Sequence, residues 1–487
     1  MLNIKRNMVL LFTVIIALVV VREGYLFERH ALHLDESLSL SLSSYSNYGF
    51  SEPLKDGVYT GSKIREAMWS NKYTAIDTTI KLWLDNRDAP HSNLYYTLLQ
   101  AWNRVPIHFN YSNIPLWSAQ LNIAIYSISA IAVALLALFI SKNSHIAIAT
   151  VILSGLASQS ISNSIFIRPY QLQELMFVIY TTMLFLSIKR NKNDFLFLSI
   201  FSIVTAFTAL TGYFAIFYIA LTFPFYVYMH HLNNGTYKSL TTSLYIIALS
   251  IIIAFATYPR YFFINNYRSK EAIGKMDSAY DNIVASISSL QIADKNFFLF
   301  YVVIVASIIL AIIDVIKRKR IESVFVLYIF TASVIWCCIV MFLAPYKIAR
   351  YIYPIIPIIA LIYVYCISYI KKPYIGLFSF IICVMAAYNL HKNGNIEYLY
   401  TKTPEYCDTL KANDAVIHIK KYYKLGAISS CFMNNGNYLF TSNSESAIPK
   451  DKYKYIISDT DISNNGYFLL KMQDGLNLYE RVHFQHP

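Results

Sequence analysis

Two adjacent carboxylates, Asp35 and Glu36, come soon after the first apolar segment of the chain, Met8–Val21. Basic residues precede that segment, which favours a cytoplasmic N-terminus and places the carboxylates on the far side of the membrane. A carboxylate at a membrane–water boundary can accept a proton or bind a cation in a site partly shielded from water. The structural alternative is that Asp35 caps a helix beginning at Ser37. The pair therefore predicts either acid–base chemistry or a helix terminus.

The composition is that of a membrane protein with several spans. Of the 487 residues, 56% are hydrophobic and 14% are charged, which is too apolar for a soluble chain of this length. The formal charge of +13 does not indicate a nucleic-acid-binding protein, because the basic residues cluster in short loops between apolar runs. The lipid bilayer is thus a predicted partner, and nucleic acid is not.

The apolar runs predict about eleven spans, with the N-terminus cytoplasmic and the C-terminus outside. Phe195–Met229 is too long for one span of about 20 residues, and it is divided by a turn at Thr211-Gly212. Counting it as two spans keeps the basic clusters on the cytoplasmic side. The other predicted spans are Met8–Val21, Ile114–Ile140, Ile146–Phe166, Leu172–Ile188, Leu240–Tyr258, Phe297–Ile316, Val324–Ala344, Ile352–Ile370 and Ile375–Leu390.

Two polar regions interrupt this pattern. The first, residues 22–111, is a long external loop with a short interfacial helix at Ser37–Tyr45 and amphipathic pieces at Ser62–Trp69 and Tyr73–Leu84. Its last piece, Asn93–Trp102, is apolar but short and is interpreted as a helix that dips into the membrane. The second, residues 391–487, predicts a small α/β domain with strands at Ala415–Ile419, Ala427–Met433, Tyr453–Ser458, Phe468–Met472 and Leu476–Phe484. The predicted division is thus a transmembrane domain, residues 1–390, and an extracytoplasmic domain, residues 391–487.

Cys407 and Cys431 lie in this second region. They can form a disulfide if the region is extracytoplasmic, and the sequence alone leaves two free thiols as an equal alternative.

Several cations fall on the same outer face as the carboxylate pair. Basic residues are expected mainly on the cytoplasmic side, and Arg168, Lys347 and Arg350 depart from this pattern. Membrane topology alone therefore does not explain them. A lipid phosphate is one such reason, because arginine binds phosphate with two parallel hydrogen bonds and lysine binds it as a point charge. The alternative is that these side chains extend to the lipid headgroups.

Two other polar residues are candidates. Glu174 is a carboxylate well inside a predicted span, where ionisable groups are usually functional. His91 opens the aromatic stretch His91-Ser92-Asn93-Leu94-Tyr95-Tyr96, either as a structural cap or as a substrate ligand.

Taken in chain order, these motifs resemble the GT-C fold glycosyltransferases, over about residues 1–390. The nearest group is that of the protein O-mannosyltransferases, with the lipid A aminoarabinose transferase and the bacterial serotype-converting glucosyltransferases. Ser92 and Asn93 stand where that group usually carries prolines. The matching segments are Asp35-Glu36, the His91 stretch, Arg168-Pro169-Tyr170, Thr211-Gly212-Tyr213, and Arg350-Tyr351 followed by Pro354 and Pro357.

The resemblance implies transfer of a sugar from a polyprenyl phosphate to an acceptor hydroxyl outside the cytoplasm, with inversion. Asp35 matches the catalytic aspartate and would be the general base, and Glu36 would orient the site or the acceptor. The implied substrate-binding residues are His91, Arg168, Glu174, Lys347 and Arg350.

The finer expectations rest on family analogy alone. They are a glucose donor on undecaprenyl phosphate, an O-antigen or lipopolysaccharide acceptor, and the bacterial inner membrane with the site and the tail in the periplasm. No cofactor is predicted, and a requirement for a divalent metal is left open. Asp459-Thr460-Asp461 matches the Asp-x-Asp motif of nucleotide-sugar enzymes, but it is interpreted as a turn after a strand.

The rival from another class is a lipid-linked glycan transporter or flippase. Transporters usually place paired charges near the membrane midplane and often show repeated halves. The predicted spans carry almost no charge apart from Glu174 and show no repeat, which favours chemistry at the interface. A non-catalytic anchor for the tail would need neither the carboxylate pair nor the external cations.

Overall fold

The computed structural model describes most of the chain, and every structural statement below concerns that part. The described residues are 2–45, 54–88, 91–105, 113–190, 194–262, 274, 280–286, 309, 312–313, 316, 320–344, 346–400, 406–441, 453–463, 467–473 and 475–481.

The membrane part is a bundle of long apolar helices. One core cluster runs through it and includes Leu18, Val133, Phe177 and Trp336. The helices are α1 (Leu2–Phe27), α6 (Ile114–Ser141), α7 (Ser144–Gly155), α8 (Ser158–Ile165), α9 (Tyr170–Arg190), α10 (Phe195–Ala209), α11 (Tyr213–Asn234), α12 (Thr236–Thr257), α13 (Ile321–Leu343), α14 (Ile356–Tyr365) and α15 (Lys372–Asn393). A 3₁₀ segment, Ala349–Ile355, leads into α14.

The described residues contain 8 helices long and apolar enough to cross a membrane, or 9 when the bent pair α7–α8 counts as one span. The bend between α7 and α8 is 65°. The predicted division at Thr211-Gly212 is confirmed, because α10 ends at Ala209 and α11 begins at Tyr213. Helix α10 is shorter than a usual span, and the predicted span Phe297–Ile316 lies almost wholly outside the described residues. The predicted fold class, a polytopic α-helical membrane protein with a small α/β region at the C-terminus, is confirmed.

The first external loop folds into four short helices and one strand. The helices match the four predicted pieces of the loop: α2 (Leu34–Ser44), α3 (Gly61–Trp69), α4 (Ala75–Leu84) and α5 (Leu94–Asn103). Strand β1 (Gly57–Thr60) was not predicted, because four residues without alternating apolar side chains give no strand signal. A second core cluster joins these helices to the tail and includes Leu40, Met68, Tyr96, Ile417 and Phe440.

The tail carries the other five strands. They are β2 (Ala415–His418), β3 (Asn437–Phe440), β4 (Tyr455–Ser458), β5 (Tyr467–Gln473) and β6 (Leu476–Arg481), with α16 (Tyr406–Ala412) and α17 (Tyr422–Ala427). The strand order is β1-β3-β2-β4-β6-β5, with β2 parallel to β3 and β4 and the other pairs antiparallel. Because β1 pairs with β3, the external loop and the tail share one sheet and lie on the same side of the membrane.

The predicted strand at Ala427–Met433 is wrong. Ala427 ends α17, and a 3₁₀ turn follows at Ser429–Cys431. The carbonyls of Ser429 and Phe432 accept hydrogen bonds from Arg65 rather than from a neighbouring strand. The segment is apolar because it packs against the external loop, and a Cβ on Gly426, directly before it, would clash with Ser37 Oγ. The Asp-x-Asp segment is a bend after β4, as predicted, and the Asp459 carboxylate accepts the backbone N–H groups of Lys420 and Lys421.

Cys407 and Cys431 form a disulfide between α16 and the 3₁₀ turn. The bridge closes a loop across a sequence separation of 24 residues. Replacing both cysteines by serine is expected to lower the free energy of unfolding of the tail by about 3 kcal/mol, mainly through the entropy of the unfolded chain. Thermal unfolding in detergent, with and without reductant, measures the effect. If both thiols react with an alkylating agent before reduction, the bridge is absent.

Candidate functional site

The start of α2 is fixed by a capping box. His33 is the N-cap, its Nδ1 accepts the backbone N–H of Asp35 at 3.0 Å, and the Glu36 carboxylate accepts the backbone N–H of His33 at 2.8 Å. Asp35 as the cap of a helix beginning at Ser37 is therefore wrong: the helix begins at Leu34 and His33 caps it. The Asp35 carboxylate is left for other interactions.

Asp35 pairs with Arg350, which lies more than 300 positions away in the sequence. Oδ2 of Asp35 is 2.7 Å from Nη2 of Arg350 and 3.7 Å from Nδ1 of His33. The Asp35 side chain is 29% exposed, whereas that of Arg350 is 9% exposed. A substrate can therefore reach the carboxylate, while the guanidinium is enclosed by protein.

The pKa of Asp35 lies below that of an ordinary aspartate. Burial by itself would raise this pKa, but the positive charges of Arg168 and Arg350 outweigh it. Asp35 is thus ionised at neutral pH and ready to accept a proton.

Glu36 points into the protein. It is fully buried, pairs with Arg29, and accepts the backbone N–H of Ile167 at 2.8 Å in addition to that of His33. These contacts join the first turn of α2 to the segment that precedes Arg168. By this geometry Glu36 is a positioning residue, because its contacts fix Asp35 relative to Arg168.

Arg168 is the centre of a buried polar cluster that includes a carboxylate not singled out in the sequence. Its Nη1 lies 3.5 Å from the Asp88 carboxylate, and it donates to Ser39 Oγ at 3.2 Å and Tyr96 Oη at 3.3 Å. Asp88 also binds His91 Nδ1 at 3.0 Å and accepts the hydroxyl of Tyr96. The available signal was the spacing of Asp88 three positions before His91.

His91 is therefore held by a carboxylate rather than capping the next helix, which begins at Leu94. Burial lowers the pKa of His91, and the attraction of Asp88 only partly offsets it. A neutral His91 donates from Nδ1 to Asp88 and leaves Nε2 as an acceptor.

Asp88 should matter for the folded state as well as for the site. Burial alone would raise its pKa, but His91, Arg168 and the Tyr96 hydroxyl together hold that pKa well below its usual range. Asp88→Asn is expected to destabilise the protein by about 3 kcal/mol, because the buried Arg168 charge loses its partner. The native carboxylate stabilises the fold above its unfolded pKa, and that contribution disappears as the pH falls.

The measurement is the midpoint of thermal unfolding in detergent between neutral and acid pH. Asp408→Asn, at an exposed position of α16, is the matched control and should leave the midpoint unchanged. Equal midpoints for the Asp88 variant and the control would contradict the structural role.

Arg350 is surrounded by aromatic rings. Its guanidinium carbon lies 5.5 Å from the ring centres of Phe166 and Tyr351 and 5.7 Å from that of Tyr398. Nη1 is 3.5 Å from the Tyr398 hydroxyl, and the Tyr398 ring stacks on Phe166 at 4.0 Å. Tyr398 follows α15, and its φ is 63°. Sequence reasoning missed it, because nothing in the sequence links the start of the tail to Arg350.

Two predicted site residues have other partners. Nζ of Lys347 donates to the carbonyl oxygens of Met341, Phe342 and Ala344 at the C-terminal end of α13, where a cation stabilises the helix. Glu174 is buried in α9 and accepts hydrogen bonds from Ser129, Gln171 and Asn163. The structure thus brings together Asp35, His91, Arg168 and Arg350, with Glu36 behind them.

The cluster has unused hydrogen-bond donors. Nε of Arg168 and Nε of Arg350 are buried and have no hydrogen-bond partner within the described part of the chain. A buried guanidinium N–H without an acceptor is costly, so each of the two side chains has a donor that a nearby anion would satisfy. The same described residues contain no group of three or more His, Cys, Asp or Glu side chains arranged to hold a metal ion.

The similar solved structures include two chains of an archaeal oligosaccharyltransferase. One is AglB from Archaeoglobus fulgidus in complex with an inhibitory peptide and a dolichol-phosphate, with a TM-score of 0.48. The other is the Archaeoglobus fulgidus oligosaccharyltransferase in the apo form, with a TM-score of 0.46. Each is 10% identical, with 91% of this chain and 69% of the other covered. No family model and no curated protein matches the sequence.

Proposed function

We propose that this protein is an integral membrane glycosyltransferase of the GT-C type, which moves a sugar from a polyprenyl phosphate to an extracytoplasmic glycan acceptor. The observation that carries the proposal is the partly exposed Asp35 carboxylate beside two buried guanidiniums that retain unpaired N–H groups. A base and an anion site next to each other are what this transfer requires. Asp35 is the general base, and Arg168 and Arg350 hold the lipid phosphate.

The reaction can be written with these residues alone. Asp35 takes the proton of the acceptor hydroxyl while the hydroxyl oxygen attacks the anomeric carbon on the face opposite the phosphate. The new glycosidic bond forms as the bond from the anomeric carbon to the phosphate oxygen breaks, and the electron pair leaves with the lipid phosphate. The guanidiniums stabilise the charge that develops on the leaving phosphate, so no strong acid is needed. The anomeric configuration is inverted.

The finer assignment comes from the family resemblance. The donor sugar is glucose on undecaprenyl phosphate, and the acceptor is an O-antigen or lipopolysaccharide glycan at the periplasmic face of a bacterial inner membrane. The domain division at residue 390 is kept in this proposal, with the tail domain beside the site.

The experiment that tests the function is turnover by the purified full-length protein in detergent. It is incubated with a panel of polyprenyl-phosphate sugars and an acceptor lipopolysaccharide, and the products are analysed by mass spectrometry and NMR. One donor should be consumed, and the new bond should have the opposite anomeric configuration. The rival assignment, a lipid-linked glycan flippase, forecasts that the protein moves an intact lipid-linked glycan across a liposome bilayer and forms no new bond.

The topology gives an independent prediction. Reporters fused after Lys192 and Lys319 are expected to be cytoplasmic, and those fused after Asn265 and at the C-terminus to be external. The three internal fusion points lie outside the described residues, so this forecast rests on the charge pattern of the sequence. Alkaline phosphatase and fluorescent-protein fusions measure it. A cytoplasmic C-terminus would place both the tail and Asp35 on the wrong side for a lipid-linked donor used outside the cytoplasm.

A further inference from the structure

A cavity of about 250 Å³ lies at the end of α2 opposite to Asp35. It is formed between α2, the end of α3 and α5, all within the external loop, together with the start of α6. Its volume corresponds to about eight water molecules at about 30 Å³ each, which is comparable with one hexose ring. Asp35 and Ser44 are separated by about 13 Å along α2, at 1.5 Å per residue.

The described residues of the lining are uncharged and mix polar with apolar side chains. Among the described residues that border the cavity, none is charged, and the main ones are Leu40, Ser43, Trp69, Asn71, Gln100 and Asn103. Amide side chains each offer donors and an acceptor, and an indole offers an apolar face and one donor. This set suits a ligand with many hydroxyl groups and no net charge.

Two of the amide side chains have hydrogen-bonding capacity to spare. Gln100 uses its Nε2 for the carbonyl of Ala75, and Asn103 uses its Oδ1 for the Ser118 hydroxyl. Within the described residues, this leaves the opposite end of each amide available to a ligand. Trp69 is 4% exposed and its Nε1–H is enclosed by protein, so the indole contributes an apolar surface rather than a donor.

A neighbouring cavity shows the contrast. It has a volume of about 510 Å³, shares Trp69 with the first, and is bordered by Arg29, Arg65 and Lys411. The guanidinium of Arg29 is engaged by Glu36 and that of Arg65 by tail carbonyls. The arginine donors of the basic cavity are thus engaged by other parts of the protein. At the uncharged cavity, Gln100 and Asn103 each keep one amide end for a ligand, within the described residues.

We propose that the uncharged cavity binds a neutral sugar ring, as a second subsite for the acceptor glycan. That the sugar belongs to the acceptor rests on the proposed function, whereas the binding of a neutral sugar does not. One helix, α2, then carries the base at its N-terminal end and the subsite at its C-terminal end. When one ring of a glycan occupies the subsite, a later ring of the same glycan can reach Asp35. The subsite therefore selects acceptor glycans of sufficient length.

The test is saturation-transfer NMR on the full-length protein in detergent. The probes are methyl glycosides of glucose, galactose, mannose, rhamnose and N-acetylglucosamine, with inorganic phosphate as the anionic probe. At least one glycoside should bind, and its affinity should fall about tenfold in Asn103→Ala and in Gln100→Ala, since each loses an amide that can hydrogen-bond a sugar hydroxyl. Asn71→Ala is a third cavity variant that should leave the fold intact. Asn71 is exposed and makes no side-chain hydrogen bond within the described residues.

Lys411→Ala, in the neighbouring basic cavity, is the matched control and should leave glycoside binding unchanged. The proposal is overturned if no glycoside binds, if the three cavity variants bind as the wild type does, or if phosphate binds instead. It is also overturned if Lys411→Ala alone abolishes binding. If the protein binds a glycoside but consumes no lipid-linked donor, the proposed function is wrong and the sugar site is retained.

Discussion

Asp35→Asn is expected to lower the rate of sugar transfer by about 10²-fold or more, while donor binding remains measurable. Asparagine keeps the size of the side chain but cannot accept the proton of the acceptor hydroxyl. The proposed phosphate ligands are Arg168 and Arg350, and the helix cap comes from His33, so neither is removed by the change. The measurement pairs a transfer assay with donor binding by titration.

The pH dependence sharpens this prediction. Because the pKa of Asp35 lies below that of an ordinary aspartate, the acid limb of the transfer rate should also lie below the usual carboxylate range. The matched control is Asp461→Asn, at an exposed carboxylate of the tail that accepts a hydrogen bond from Ser463. Full transfer activity in a well-folded Asp35→Asn protein would remove Asp35 from the mechanism.

Arg350→Ala is expected to weaken donor binding by about 100-fold, because it removes a charged hydrogen-bond donor from a buried site. Arg350→Lys should recover only part of this loss, since lysine cannot make two parallel hydrogen bonds to one phosphate. A second signature follows from the ion pair with Asp35. Without the guanidinium the pKa of Asp35 rises, so at saturating donor the acid limb of the rate should move to higher pH.

The matched control for Arg350 is Arg260→Ala. Arg260 has a 59% exposed side chain and pairs with Asp85 at 3.3 Å. It should leave donor affinity unchanged if the effect at Arg350 comes from a specific contact. Normal donor binding by Arg350→Ala would remove Arg350 from the proposed phosphate site and leave the ion pair with Asp35 as its role.

From the sequence, the residues that come together in the candidate site were easier to predict than the contacts that they make. Asp35, Arg168 and Arg350 could be assigned to one face because each lies near the outer end of a predicted span, and His91 because it lies in the long external loop. Asp88 could not be found this way. It lies in a polar stretch where a buried carboxylate looks like any solvated one, and only the fold brings Arg168 and Tyr96 to it.

The fold was predictable where one physical signal dominates. The spans follow from hydropathy, and helices α2 to α5 follow from amphipathic spacing. Lys347 was assigned to the site only because it was predicted on the outer face of the membrane. That criterion cannot distinguish a phosphate ligand from a lysine that binds the carbonyl oxygens at a helix end, as Lys347 does. The contact of Tyr398 with Arg350 had no local signal, because it depends on the path of the chain after α15.

The shared sheet also bears on how the protein is made. Strand β1 lies near residue 60 and its partner β3 near residue 440, and Ser37 of α2 donates to the carbonyl of Tyr423, 386 positions later. Contacts of such long sequence separation form late, because the chain between them must first be in place. The ribosome and the insertion machinery therefore release the last spans before α2 gains its final support. A partly synthesised chain carries Asp35 without its scaffold, so the candidate site is complete only after most of the tail has been synthesised.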